Sequence, residues 1–174
     1  MKKAALLILW TALFLPVLVS PSFVLGEASW ENKGSRDNGA AFNDLTGKEW
    51  LLSEIRSGGN TITIDRNKLG AINMGGAFSL SFRQEASAAQ GQAAGMGVPN
   101  RYFGPYTAGD NNSLSIGTLA STMMLAFAEP DNLKEKEFFD YLANVTRWDL
   151  NGGKLELYTV NSSKAAAVMV FVLK

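Results

Sequence analysis

Residues 78 to 82 read Phe-Ser-Leu-Ser-Phe, a strict alternation of large apolar and small polar side chains. A period of two commits such a segment to a strand with one wet face, because successive side chains point to opposite sides of the backbone. The same pattern recurs along the chain. Lys48 to Ile55 puts Trp50 and Leu52 on one face and Leu51 on the other, and the turn Ser57-Gly58-Gly59-Asn60 leads into the β-branched run Thr61 to Ile64, which predicts a hairpin. Tyr102 to Thr107 and Ser113 to Gly117 predict short strands around an Asp110-Asn111-Asn112 turn. Thr146 to Leu150 and Lys154 to Tyr158 flank Asn151-Gly152-Gly153, a strong hairpin signal. Ala166 to Leu173 is apolar on both faces and predicts a central strand.

Two stretches carry helical signals. Thr118 to Phe127 predicts a helix of about three turns by its run of helix-compatible residues. After Pro130, Asn132 and Glu135 have the spacing of a capping box, and Phe138, Tyr141, Leu142 and Val145 form one apolar stripe. Lys134, Glu135, Lys136 and Asp140 lie off that stripe and are expected to face water. Glu85 to Gly97, rich in Ala, Gly and Gln, reads as a flexible loop. Strands outnumbering a late helical pair predict an α+β domain.

Met1-Lys2-Lys3 followed by an apolar run from Ala4 to Leu25 predicts a secretory signal peptide over residues 1–26, cut before Glu27 or, alternatively, before Ser29. Pro16 and Pro21 interrupt the run, which argues against a retained anchor. Residues 27–44 are polar and small and predict a flexible linker. Residues 45–174 form the expected domain. The sequence holds no Cys, so neither a lipid-bearing cleavage site nor a disulfide is available, and stability must come from a packed core. Taking 26 residues from 174 leaves 148, enough for one domain. The leader carries two lysines and no acid, so 16 cations and 16 anions become 14 and 16, a net charge of −2. A nearly neutral chain without a basic cluster argues against nucleic acid as a partner.

The sequence also holds no His. Without His or Cys, Ser-His-Asp and Cys-His catalysis are unavailable, as are the usual zinc and copper ligand sets. Ser162-Ser163-Lys164 reads as a turn rather than a Ser-Lys dyad, and Asp110-Asn111-Asn112 lacks the spaced carboxylates of a calcium loop. Gly95-Met96-Gly97 lacks the Lys-Ser/Thr of a phosphate loop. No catalytic residue, metal or cofactor is expected. A pair of carboxylates acting on cell-envelope glycan is the alternative chemistry.

The segment Asn100-Arg101-Tyr102-Phe103-Gly104-Pro105-Tyr106, with Leu114-Ser115-Ile116 and Ser121-Thr122-Met123-Met124, resembles the META domain family of small HslJ-like envelope proteins. Leu45, Gly47, Trp50 and Leu52, Phe78 to Phe82, Glu137-Phe138 with Leu142 and Val145, and Leu155-Glu156-Leu157 extend the likeness from Leu45 to Leu173. The resemblance implies a strongly curved antiparallel sheet, a half-open barrel with one or two helices packed against it. It also implies an exported periplasmic or extracellular location and a stress-related binding or stabilising role without catalysis. Many members have Cys where this chain has Pro99, and a second where it has Ala126 or Phe127. Their joint loss implies a looser loop before Asn100. Asn100, Arg101, Tyr102 and Tyr106 are the candidate binding residues, although the rings of Tyr102 and Tyr106, on one strand face, are better suited to filling a core. The expected partner is an envelope protein or a hydrophobic ligand, bound by a monomer with no membrane anchor after cleavage.

Overall fold

The Phe78–Phe82 alternation becomes an interior strand of a ten-stranded sheet. The computed structural model describes residues 41–84, 90–125, 130 and 132–174, all within one compact unit, Gly34–Lys174. The expected signal peptide and all of the linker before residue 41 lie outside the described residues. The strands are β1 (Glu49–Ser57), β2 (Asn60–Thr63), β3 (Ser79–Arg83), β4 (Gly91–Met96), β5 (Arg101–Ala108), β6 (Leu114–Ile116), β7 (Ala120–Ser121), β8 (Arg147–Asn151), β9 (Lys154–Val160) and β10 (Ala166–Leu173). Two helices, α1 (Arg66–Ala71) and α2 (Glu135–Ala143), complete the fold, with a single 3₁₀ turn at Phe42–Leu45.

The sheet runs β6-β5-β4-β3-β1-β10-β9-β8, with β2 on β1 and β7 on β5. All strand pairs are antiparallel. Its two ends come together: Leu114 N–H donates to Thr146 O at 3.0 Å, and Trp148 N–H donates to Asn112 O at 3.0 Å. The result is a barrel closed except for one short seam, which is the expected α+β curved sheet carried nearly to completion. Both predicted hairpins form on Gly-Gly loops. Ser57 pairs with Asn60 around Gly58 and Gly59, and Asn151 pairs with Lys154 around Gly152 and Gly153. All four glycines have left-handed φ, as the tight turns that suit the strand twist require.

One register shift, between Leu52 and Glu54, lets β1 serve two partners on the same edge, β3 along Glu49–Leu51 and β2 along Glu54–Ser57. Carbonyls at this fork converge on Arg66, at the start of α1. Its Nε donates to Leu52 O at 3.0 Å, and its terminal nitrogens reach the carbonyls of Leu52, Ala77 and Phe78. Burial lowers its pKa from the usual guanidinium range to about 10, which leaves it cationic at neutral pH. Helix α1 itself carries too short a pattern to be expected from sequence. Asp65 caps it, accepting Lys68 N–H at 3.0 Å.

Inward side chains fill the barrel. Trp50, Leu52, Leu80, Leu155, Leu157, Met169 and Phe171 are all buried. At one end, Phe138 of α2 meets Phe78 and Tyr102 edge-on, with centroids 5.2 and 5.9 Å apart. Four residues further along the same strands, Phe42 contacts Phe82, Tyr106 and Trp148 at 5.1 to 5.5 Å. Phe42 falls within the expected linker 27–44, whose only described part is 41–44. There Phe42 packs against the core and so belongs with the domain. The helical stripe is as expected, with Phe138, Leu142 and Val145 buried and Tyr141 half-buried.

Four expectations are corrected. Residues 91–96 of the supposed loop are strand β4, hydrogen-bonded on both edges, while 85–89 lie outside the described residues. Residues 118–125 of the supposed helix are extended, with Ala120–Ser121 forming β7, while 126 and 127 lie outside the described residues. Asn132 does not cap α2: its side chain donates to Thr63 O at 2.7 Å, and the helix begins at Glu135, with Glu137 accepting Lys134 N–H at 3.0 Å. The polar face of Phe78–Phe82 is not wet at Ser79, which is buried. The turn readings stand at Asp110–Asn112, where Asn111 and Asn112 are left-handed, and at Asn161–Lys164, where Lys164 N–H returns to Asn161 O at 2.9 Å.

Candidate functional site

Asn100 sits at the junction between β4 and β5, where the chain must turn with its polar groups facing inward. Its carboxamide is a four-way connector. Oδ1 accepts from Thr122 Oγ1 at 2.8 Å and from Met124 N–H at 2.7 Å, and Nδ2 donates to Met124 O at 3.2 Å and Glu135 Oε2 at 2.7 Å. Glu135 completes the junction through Oε1, which accepts from Val98 N–H at 2.6 Å and Asn100 N–H at 2.8 Å. Glu135 therefore does not face water as expected: it turns into the junction from the first residue of α2. The segment before Asn100 is tied to the helix by these bonds, where the resemblance had implied a disulfide in other members. Asn100 is only 7 % exposed, which makes it an architectural residue of the junction.

Tyr102 and Tyr106 point inward from β5 and are also buried. Tyr102 lies across β4 so that its hydroxyl donates to Ser79 O at 2.7 Å. Tyr106 packs on Phe82 with centroids 5.1 Å apart. Two glycines make room for them. A Cβ on Gly91 would stand 2.2 Å from the Tyr106 ring, and one on Gly95 would stand 2.0 Å from Ser79 O and 2.8 Å from the Tyr102 hydroxyl. The small residues of β4 are thus dictated by the rings that cross it.

Burial raises the Tyr102 phenol well above its ordinary 10.0. Above pH 10 the unfolded chain releases this proton while the folded chain retains it, so stability falls as pH rises from 10 toward the folded value. Tyr102→Phe should cost about 1–2 kcal/mol at neutral pH by orphaning Ser79 O. It should also flatten the alkaline decline relative to the parent, as read by urea unfolding between pH 7 and 11. Equal alkaline slopes would mean that Tyr102 ionises in place.

Of the four candidate residues only Arg101 presents its side chain outward, since β5 alternates exposed and buried from Arg101 to Tyr106. It borders a groove of about 760 Å³ on the outer face of β1, β3, β4 and β5. Cross-strand register explains the groove. Glu49, Ser81, Ala94 and Phe103 form one row, and Ser79, Met96 and Arg101 form the next. Ser79, Ser81, Ala94 and Gly95 make a floor of short side chains, and Phe103, 55 % exposed, stands up as one wall. Lys48, Arg83, Arg101 and Lys174 border the groove against one carboxylate, Glu49, which Lys174 holds at 2.8 Å. Among the described residues no carboxylate pairs with Lys48, Arg83 or Arg101. Sequence reasoning missed Lys48, Arg83, Gln92 and Phe103 as a group. Their signal lies in the outward positions of separate strands, and it becomes visible only once the register is known.

A curved, nearly closed antiparallel sheet with a helix packed on its end and an aromatic β5 defines a barrel-type domain of the META class. The family profile described as the META domain matches residues 43–173, and this chain belongs to that family. Among solved structures, the chain is similar to an NMR structure of a protein from Burkholderia xenovorans. The two share 22 % identity and a TM-score of 0.52, over 76 % of this chain and 85 % of that one. It is also similar to a crystal structure of a DUF4847 family protein from Bacteroides vulgatus ATCC 8482, with 14 % identity, a TM-score of 0.46, and coverage of 75 % and 94 %. No curated protein matches the sequence.

Proposed function

We propose that this META protein is a non-catalytic, exported module that binds an envelope protein or a hydrophobic ligand through its outer groove, and that it acts as a monomer in a stress-related stabilising role. One observation carries this reading. The inner face of the barrel is filled by the protein's own side chains, whereas the outer face of β3 to β5 is concave and bordered by an exposed Phe and by cations that no carboxylate pairs with among the described residues. Binding pockets of several hundred Å³ with a few convergent polar groups are the usual seat of recognition. The glycan-hydrolase alternative needs two carboxyl groups about 5–9.5 Å apart. Among the described residues lining the groove, Glu49 is the sole carboxylate, and it is already paired with Lys174. That supports binding over hydrolysis.

The location is tested by fractionating cells that express the full chain, with export expected to release a shortened protein into the envelope or medium. The groove is tested by comparing retention of envelope components on the parent and on Arg101→Ala and Phe103→Ser. Arg101 is exposed and free of side-chain partners among the described residues, so Arg101→Ala should change stability by no more than about 0.5 kcal/mol while weakening retention. A large fall in melting temperature would make Arg101 a structural residue. Unchanged retention in both variants would remove the groove from consideration, and unchanged stress tolerance on deletion would remove the stress role.

A further inference from the structure

We infer that the outer groove takes an extended acidic polypeptide segment bearing apolar side chains, an inference that rests on the groove being the binding face. Charge complementarity is the first ground. Three cations with no carboxylate partner among the described residues surround the groove, and two of them stand well apart: Arg101 shares a cross-strand row with Ser79, and Arg83 lies four residues further along β3, about 13 Å at the rise of a strand. A compact anion reaches one of them, whereas an extended chain with carboxylates at intervals reaches both. Guanidinium groups match carboxylates in a planar two-point fork, and the Arg cations are suited to that geometry.

The second ground is the apolar surface between and beyond these charges. Phe103 stands over the small floor, and Met96 lies beside Arg101. Thr122 N–H donates to Arg101 O at 3.0 Å, which lays the following residues alongside, where Met123 is 97 % and Leu125 89 % exposed. Thioether side chains adapt to varied apolar partners.

The third ground separates a polypeptide from an acidic glycan. Sugar recognition needs several neutral hydroxyl and amide partners, and the floor supplies only two hydroxyls, each already using part of its hydrogen-bonding capacity. Ser81 Oγ donates to Ala94 O at 3.1 Å, and Ser79 Oγ accepts Met96 N–H at 3.2 Å. Gln92 is the remaining neutral side-chain amide of the lining.

The test uses the purified full chain and a fluorescein-labelled ten-residue peptide alternating Glu with Leu and Phe, titrated by fluorescence anisotropy. Its controls are the same peptide with Lys for Glu, and polygalacturonate as a competitor. The acidic peptide should bind at least tenfold more tightly than its Lys counterpart, and 500 mM NaCl should weaken it severalfold relative to 50 mM. Arg83→Glu with Arg101→Glu should weaken it at least tenfold with an unchanged melting temperature, and Phe103→Ser should weaken it severalfold. Equal binding of both peptides, or no loss in the double variant, overturns the inference. If polygalacturonate binds through Arg83 and Arg101 while the peptide does not, the ligand class is wrong but the groove stands. If the groove variants still retain envelope components as the parent does, the groove itself falls.

Discussion

Asn100→Ala should lower stability by about 3–4 kcal/mol and bring the melting temperature down by on the order of 10 °C. The reason lies in what the truncation leaves behind. Thr122 Oγ1, the Met124 backbone and Glu135 Oε2 each lose a partner at a site almost closed to water. Orphaned buried groups cost more than the bonds they replace contribute, because desolvation is no longer offset. Glu135→Ala should cost about 2–3 kcal/mol by freeing the Val98 and Asn100 amides, with the double variant falling well short of the sum. Urea unfolding of the four proteins supplies the cycle. Strict additivity would show that the two residues act separately and that the junction is not one unit.

Gly95→Ala should be as damaging, at about 3 kcal/mol or more, although it adds one methyl group. The new carbon would meet Ser79 O at 2.0 Å, and this backbone oxygen, at the first residue of β3, cannot move without disturbing the pairing of Ser79 with Leu51 and with Met96. Tyr102→Phe removes only the hydroxyl 2.8 Å away, so adding it to Gly95→Ala should give no rescue. Gly75→Ala is the control: its nearest neighbour would be 3.8 Å away, and the change should stay within about 0.5 kcal/mol. Circular dichroism melts of the three variants suffice, and a Gly95→Ala loss below 1 kcal/mol would mean that β3 and β4 can slide apart locally.

These two residues also mark where local sequence stops informing on structure. Strands β1, β3, β8 and β9 were legible because alternation and Gly-Gly turns act within a few residues, and the META likeness supplied the barrel. Strand β4 was not, because its glycines answer to Tyr102 and Tyr106, rings that arrive from the next strand. Without those rings in view, Ala and Gly look like slack. Residues 118–125 resemble a helix by composition, yet Asn100 captures Thr122 and Met124 and draws the backbone along β5 instead. Glu135 was assigned to water from helical spacing alone, and the spacing cannot report a loop approaching from 35 residues away. At the candidate site, Arg101 was legible as an outward charge beside aromatic residues. Asn100, Tyr102 and Tyr106 carry the same motif, but their side chains hold the fold together from inside. Lys48 and Arg83 lie on other strands, so nothing adjacent to them in sequence signals the groove.

The place of β1 between β3 and β10 has a kinetic consequence. Glu54 pairs with Val170 and Trp50 with Leu173, contacts spanning well over a hundred residues, and the most buried wall of the barrel depends on them. Sheets built on such distant pairings fold slowly, because the entropy of closing the long loop is lost before the contact forms. A ribosome-bound chain lacking β10 would leave one edge of β1 unsatisfied and the aromatic interior exposed. Cooperative folding of this domain therefore waits for its last strand, and until then the chain depends on whatever shields its open edge.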